Sequence, residues 1–283
     1  MRSVWIVLAM SIFSLSWVSG SSAQQRDRDW EDCRDIQNRE RQIRGCTAVL
    51  NRGQLETAQR RAIAFRNRAI ANGLRQNTQA AIRDFSESLR LDPNNAFTFY
   101  FRGGLYMRIR NFDLAVQDFS EAIRIDPNDP DFYFSRADAY SNLGNFRAAI
   151  QDLTQVLGIN PRDRAAYFAR ASNSLRIRNY QQAIFDFSQV IRLDPTDYDA
   201  FIGRGEAHIA LRSYEAAIRD FTEVIRLAPT HSEAFRLRGL ANRDRGDLRQ
   251  AVADLRESVR LGNVRAPRDL ADVEVALGQQ RRN

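Results

Sequence analysis

Apolar and small residues recur along most of the chain at a fixed interval of 34 residues. The interval is marked by prolines near the end of each period: Pro93, Pro127, Pro161, Pro195 and Pro229. We number the positions of one repeat from 1 at Pro130 to 34 at Asp163. Six such repeats follow one another without a gap, at 62–95, 96–129, 130–163, 164–197, 198–231 and 232–265. A constant period of this length predicts an architecture of stacked repeats.

Each repeat is predicted to contain two α-helices, A and B, joined by a tight turn. Helix A carries apolar or small residues at positions 4, 8 and often 11, which is helical spacing, and position 4 is always aromatic. Helix B carries alanine at position 20 and phenylalanine or leucine at position 24 in all six repeats. Small residues allow two helix axes to approach, and large residues fill the space beside them. Asn, Asp or Ser precedes most of the helices as a cap, and the proline at position 32 stops helix B.

This pattern resembles the tetratricopeptide repeat. The family's large–small–aromatic arrangement on helix A and its Ala–Phe–Ala–Pro arrangement on helix B are both present, and the resemblance covers residues 62–265. It implies an all-α, right-handed solenoid of stacked helical hairpins, in which helix A lines the concave surface. It further implies that the protein holds a peptide or a partner protein, although one fold can serve many functions.

The N-terminal segment Met1–Ala23 has the features of a secretory signal peptide. Arg2 is its only charge, residues 4–18 are largely apolar, and small residues precede the expected cleavage after Ala23. The alternative is an uncleaved membrane anchor, but a bilayer span needs roughly 20 apolar residues. We therefore expect an exported protein, periplasmic or secreted, with no stable membrane span after cleavage.

Residues 24–61 are predicted to form a divergent helical hairpin, and this segment contains the only two cysteines, Cys33 and Cys46. Aligned on the family's pattern, they fall at positions 11 and 24, which lie on facing sides of helices A and B. Because an exported protein meets oxidising conditions, we predict a disulfide, which would contribute about 3 kcal/mol in the chain-entropy model. The alternative is two buried free thiols that act as small hydrophobic groups. Residues 57–61 are expected to extend the next helix A.

Residues 266–283 are predicted to form a capping helix and a tail. Leu270, Val273 and Leu277 share one face of a helix over 266–278, and charged residues occupy the other faces. The terminal repeat of a solenoid needs a polar outer face, and this helix fits that role.

The formal charge is +7, and the chain contains no lysine, so its positive charge comes from arginine. Such a balance is found in nucleic-acid-binding proteins, but the repeat frame favours a structural role here. Arginine occupies position 7 and aspartate occupies position 23 in every repeat: Arg68, Arg102, Arg136, Arg170, Arg204 and Arg238, with Asp84, Asp118, Asp152, Asp186, Asp220 and Asp254. We expect each arginine to pair with an aspartate of its own or an adjacent repeat. Nucleic-acid binding is therefore not expected.

The concave positions of helix A, at 2, 5, 9 and 12, predict a peptide-binding groove. Its apolar lining consists of Tyr100, Phe134, Phe168 and Ile202 at position 5, with Met107, Leu175 and Ile209 at position 12. Its carboxylates are Asp131 and Asp199 at position 2, with Asp138 and Glu206 at position 9. The aromatic groups would anchor a peptide and the carboxylates would select basic neighbours. The alternative is that the residues at position 5 only pack against the next repeat.

No pattern of residues indicates catalysis, a metal or a cofactor. His208 falls at a core position and His231 in a turn, and Asp138 and Glu206 lie two repeats apart. We predict a non-catalytic protein- or peptide-binding scaffold or adaptor of the cell envelope. The alternative is a structural subunit that self-assembles or docks permanently in an envelope complex, and the pattern carries no signal for the oligomeric state. A third class is binding of an anionic polymer through the arginines, which would depend steeply on salt.

Overall fold

The computed structural model describes residues 22–280, so the predicted signal peptide, Met1–Ala23, lies almost wholly outside the described residues. The chain divides into two compact units, which we call unit 1 (Met1–Ser135) and unit 2 (Arg136–Asn283). Most of the described residues are helical, and no strand occurs among them. Among the helices of residues 22–280, none combines the length and the hydropathy that crossing a lipid bilayer requires.

The helices follow the 34-residue period. Unit 1 contains α1 (22–34), α2 (Arg39–Asn51), α3 (Ala58–Leu74), α4 (Thr78–Leu91), α5 (Ala96–Arg108), α6 (Phe112–Ile125) and the first part of α7 (Pro130–Asn142). Unit 2 contains the rest of α7, α8 (Phe146–Ile159), α9 (Arg164–Arg176), α10 (Tyr180–Leu193), α11 (Tyr198–Ala210), α12 (Tyr214–Leu227), α13 (Ser232–Arg245), α14 (Leu248–Arg260) and α15 (Ala266–Gln280). The odd-numbered helices α3 to α13 are helix A of the six repeats, and the even-numbered helices α4 to α14 are helix B.

In unit 1, the small residue at position 8 and the large residue at position 24 pack against each other. Phe85 and Phe119 are almost fully buried. A Cβ atom added at Gly103 would lie 2.7 Å from the ring of Phe119, which is too close for any side chain. The close approach of α5 and α6 therefore depends on glycine at this position.

Unit 2 repeats the same packing in successive hairpins from α8 to α14. Phe187 and Phe221 are buried, and a Cβ atom at Gly205 would lie 2.7 Å from the Phe221 ring. The last helix, α15, packs on α14 and α13 and buries Val273 against α14. It extends two residues beyond the expected end at Gly278.

The entrance hairpin of unit 1 contains the disulfide Cys33–Cys46, which joins α1 to α2. Both cysteines are fully buried, and they pack with Val49 and with Ala64 of α3. The disulfide therefore lies in the small core where the divergent hairpin meets the first regular repeat.

Side-chain caps define where most of the helices begin. Three of these caps are Asn95, Asp163 and Asp197. The side chain of each accepts a hydrogen bond from the backbone N–H of the third residue of helix A. His231 replaces them before α13 and accepts from the backbone N–H of Ala234 at 3.2 Å through its Nδ1. This histidine is therefore a helix cap, a role that its place in a turn did not indicate.

Candidate binding surface and the arginine network

The arginine at position 7 of each repeat holds the aspartate at position 23 of the same repeat. Its Nε and Nη2 donate to the two carboxylate oxygens over 2.6–3.1 Å in all six pairs. The pairs are Arg68–Asp84, Arg102–Asp118, Arg136–Asp152, Arg170–Asp186, Arg204–Asp220 and Arg238–Asp254. The planar guanidinium matches a carboxylate in this two-bond geometry, and all six aspartates are buried. These six arginines therefore have a structural role.

A hydroxyl at position 25 of the preceding repeat joins this network, and it was not expected from the sequence. Arg102 donates through Nη1 to Ser86 at 2.9 Å, and Arg170 donates to Thr154 at 3.1 Å. The signal was available, because position 25 is serine or threonine in each of the first five repeats. The network therefore links neighbouring repeats as well as the two helices of one repeat.

The aromatic residue at position 4 lies beside the arginine of its repeat as well as packing toward the core. The guanidinium of Arg204 lies 5.5 Å from the ring centroid of Phe201, and that of Arg170 lies 5.8 Å from the ring of Tyr167. Phe201 is buried, whereas the other five aromatic residues at this position are only half-buried. Phe99, Tyr167 and Phe201 nevertheless lie in or against core clusters, as expected. The positions of helix A that are buried in all six repeats are 3, 8 and 10.

In unit 2, the apolar residues of the predicted groove are half-buried. We call the following set the unit 2 surface: Asp138, Phe168, Leu175, Asp199, Ile202, Glu206 and Ile209. The edge of the Phe168 ring meets the Phe187 ring, with centroids 5.5 Å apart. Ile202 and Ile209 pack against the cluster around Phe221. Each apolar residue thus contributes to packing between helices and still reaches solvent.

In unit 1, the predicted groove residues Tyr100, Met107 and Phe134 are also half-buried, and Asp131 is exposed. Tyr100 has the densest contacts, with its ring centroid 5.2 Å from that of Phe132. These residues are therefore less open than the groove prediction assumed.

Two other aromatic residues of unit 1 are more exposed, and the sequence reasoning missed them. Phe97 is 53% exposed and Phe101 is 41% exposed. Phe97 occupies position 2, a concave position to which the prediction assigned only carboxylates. Phe101 occupies position 6, which was not predicted to be concave. The signal was their aromatic character at positions where the other repeats hold different residue types.

Glu206 is the most unusual carboxylate of the unit 2 surface. It is exposed, and it makes no hydrogen bond or ion pair within the described residues. Partial burial among the neighbouring helices raises its pKa, and the negative charge of Glu233 raises it further. Asp199 is also exposed and unpaired in the same range, whereas Asp138 accepts a hydrogen bond from Asn142 at 3.0 Å.

The charged residues next to Glu206 form hydrogen bonds and ion pairs with one another. Burial would raise the pKa of Glu233, but hydrogen bonds from Arg236 and Asn263 outweigh it and lower the pKa. Arg236 also donates to Asp269 at 2.8 Å. Glu206 therefore lies beside a closed ion-pair network without taking part in it, and its charge remains available to a ligand.

The two histidines have structural surroundings. His208 is half-buried, its Nε2 lies 4.0 Å from a carboxylate oxygen of Asp220, and burial lowers its pKa. His231 caps α13, as described above. Within residues 22–280, no cluster of His, Cys, Asp and Glu side chains has the arrangement needed to hold a metal ion.

Comparison with known proteins places the repeats in a family. The family model described as "Tetratricopeptide repeat" matches residues 134–198, 169–232 and 202–266, and the model described as "TPR repeat" matches residues 111–144. Together they cover residues 111–266, which is more than half of the chain. No curated protein sequence matches the chain significantly.

Solved structures show the same fold. The C-terminal part of a TPR repeat-containing protein from Cytophaga hutchinsonii is 19% identical with a TM-score of 0.69, covering 87% of this chain and 98% of its own. YrrB, described as a TPR protein with an unusual peptide-binding site, is 21% identical with a TM-score of 0.60, covering 68% of this chain and 96% of its own. MamA is 21% identical with a TM-score of 0.58, covering 61% of this chain and 94% of its own.

The tetratricopeptide family consists of protein–protein interaction scaffolds, which bind proteins or peptides and are generally non-catalytic. Three observations support the same assignment: the helical hairpins of both units, the 34-residue period and the matches to the family models. The chain belongs to the tetratricopeptide repeat family.

Proposed function

We propose that this protein is a non-catalytic scaffold of the cell envelope, built on six repeats over 62–265, and that it holds a basic segment of a partner protein on the unit 2 surface. The observation that carries the proposal is Glu206, an exposed and unpaired carboxylate between the half-buried Ile202 and Ile209. A carboxylate that is partly desolvated and has no hydrogen-bonded counter-charge gains from a cationic ligand, and the only cation that acts on Glu206 within the described residues is Arg236, through space.

The apolar side chains favour a ligand that is itself part apolar. Phe168, Leu175, Ile202 and Ile209 each keep part of their surface in contact with solvent. Covering that surface would add hydrophobic energy to the charge pairing, and buried apolar anchors often dominate binding at such interfaces. A segment with alternating arginine or lysine and leucine or phenylalanine fits this chemistry.

The disulfide supports an exported location. Disulfides persist in oxidising compartments and are rare in the cytosol, and Cys33–Cys46 is buried in the entrance hairpin. The signal-peptide features of residues 1–23 point to the same compartment.

An array of synthetic peptides of equal length, in basic–apolar, acidic–apolar and neutral–apolar series, tests the binding. The wild-type chain should prefer the basic–apolar series, and the Asp199→Asn plus Glu206→Gln variant should bind it about tenfold more weakly, since charge-assisted bonds are the strong ones. The matched control is Glu215→Gln plus Asp272→Asn, which removes the same charge from exposed positions of unit 2. Preference for acidic peptides, or equal weakening by the control, would contradict the proposal.

Self-assembly is a second candidate function, favoured by the exposed Phe97 and Phe101 of unit 1. Exposed aromatic surface of this kind marks interaction sites. Light scattering after size exclusion would show an oligomer that the Phe97→Ser plus Phe101→Ser variant converts to a monomer. A monomeric wild-type chain across the accessible concentration range excludes this candidate.

A further inference from the structure

A pocket of about 470 Å³ opens in unit 2 where the helix A to helix B turns of two successive repeats meet. One repeat contributes Gly144, Phe146 and Arg147, from the turn and the start of α8. The next repeat contributes Arg176 and Arg178, from the end of α9 and the turn after it. Three arginines therefore line the pocket, and none of the described residues that line it is a carboxylate.

These three arginines differ from the network arginines because no acidic partner neutralises them. Arg147 and Arg178 form no hydrogen bond or ion pair through their side chains within the described residues. The guanidinium of Arg176 lies 5.2 Å from the ring centroid of Phe146, so its flat face is supported by the aromatic ring. A guanidinium stacked in this way keeps its N–H edge free for an acceptor.

Gly144 lines the pocket at a turn position where other repeats carry a longer side chain. The equivalent turn position is arginine in three other repeats, at Arg110, Arg178 and Arg212, where the backbone has a left-handed φ of 58–60°. Gly144 has φ +76°, and a Cβ atom there would meet nothing within 4 Å. The turn therefore tolerates arginine at residue 144.

We propose that this pocket binds a phosphoryl group carrying at least two negative charges. Arginine forks match the oxygens of a phosphate through paired hydrogen bonds. The N-terminal end of α8, a helix of fourteen residues, adds its partial positive charge, and one of its first N–H groups, that of Ala148, already donates to Asn145. Three cations that line one pocket, with no carboxylate among the lining residues, favour a multiply charged oxyanion over a single carboxylate. The site is separate from the unit 2 surface and does not depend on the peptide-binding proposal.

Titration calorimetry of the whole chain with pyrophosphate at low salt tests the pocket. Wild type should bind one equivalent, and the Arg147→Gln, Arg176→Gln, Arg178→Gln variant should bind at least about tenfold more weakly, because each lost bond is charge-assisted. The matched control is Arg162→Gln, Arg192→Gln, Arg219→Gln, which removes the same charge from exposed positions of unit 2. Control binding within about twofold of wild type supports the pocket, because the control arginines are not among its lining residues and cannot donate to a group bound there. Absence of saturable binding, or equal weakening by both variants, overturns it.

The Gly144→Arg variant separates a shaped pocket from diffuse positive charge. It adds a cation but places a long side chain on a lining residue of the pocket, so it should weaken pyrophosphate binding, whereas stronger binding would overturn the proposal. Vesicles of phosphatidylglycerol and of phosphatidylcholine identify the source of the phosphate. Retention on the former alone, lost in the triple Gln variant, assigns a lipid headgroup. Pyrophosphate binding without retention assigns a soluble phosphate compound.

Discussion

The guanidinium of Arg204 donates to the hydroxyl of Ser188 in the preceding repeat at 3.0 Å, while its other donors hold Asp220. The Ser188 hydroxyl in turn donates to the carbonyl of Ile184 at 2.7 Å. One arginine thereby joins helix A and helix B of its own repeat to helix B of the repeat before it. In a stack of repeats, stability depends on such nearest-neighbour interfaces as well as on each repeat.

Removing Arg204 should cost far more stability than removing Ser188. Arg204→Ala leaves the buried carboxylate of Asp220 without its partner, and breaking a buried pair in this way costs about 3 kcal/mol. Ser188→Ala removes one hydrogen bond of the network and should cost about 1 kcal/mol. Urea denaturation followed by circular dichroism gives both changes in the free energy of unfolding.

The control for this comparison is Arg192→Ala, since Arg192 is exposed and unpaired within residues 22–280. Surface changes of this kind usually stay within about 0.5 kcal/mol. If Arg204→Ala were no more destabilising than Arg192→Ala, the network would not be a source of stability.

Adjacent glycines of α5 should respond to alanine in opposite directions. Gly103 faces the buried ring of Phe119, where a Cβ atom would lie 2.7 Å away, whereas a Cβ atom at Gly104 would meet nothing within 4 Å. Gly103→Ala should destabilise the protein by about 1–3 kcal/mol through overpacking. Gly104→Ala should stabilise it by up to about 1 kcal/mol, because alanine is the better helix former.

Thermal unfolding of the two variants beside wild type checks this prediction, with Gly104→Ala as the matched control for helix propensity. A higher melting temperature for both variants would mean that the Phe119 ring moves aside freely. The small residue at position 8 would then have no packing role.

The period of the sequence was sufficient to predict the helices and the pairing of Arg102 with Asp118, because a charge pair at one fixed spacing must meet in every copy. The third partner, Ser86, was overlooked because serine on a helix has many other uses. The contact of Phe99 with the guanidinium of Arg102 was not predicted, since helical periodicity shows that a residue faces inward but not which side chain lies over it.

The candidate binding surface was harder to predict, because helical periodicity does not show which neighbouring side chains cover a residue. Exposure of Phe168 depends on how closely Phe187 approaches it, and that distance is set by packing between repeats. The isolation of Glu206 depends on Glu233, Arg236 and Asn263 satisfying one another. The spacing of residues along the chain does not show which of these side chains contact one another.

Loss of the disulfide should loosen the entrance hairpin. Cys33→Ala plus Cys46→Ala removes a link that closes a short loop, which contributes about 3 kcal/mol in the chain-entropy model. Because both positions are buried and pack with Val49 and Ala64, alanine also leaves small voids. Hydrogen exchange should show loss of protection over 22–51, with residues of α10 to α14 unchanged. Equal protection of α1 and α2 in wild type and variant would contradict the prediction.

The stability of the protein should carry a pH-dependent penalty at Glu206. Its pKa is raised above the ordinary value of 4.5 by burial and by Glu233, so the folded state binds its proton more tightly than the unfolded state. Stability from this group therefore falls as pH rises through 4.5 and towards the raised value in the folded state.

Glu206→Gln removes the charge, so the free energy of unfolding of the variant should match that of wild type near pH 4 and exceed it near pH 7. Urea denaturation at the two pH values measures the difference, and Glu215→Gln, at an exposed position of α12, serves as the control that should show no such trend. A Glu206→Gln variant less stable than wild type at pH 7 would mean that the carboxylate has a stabilising partner, and the charge proposed to attract a basic peptide would already be satisfied.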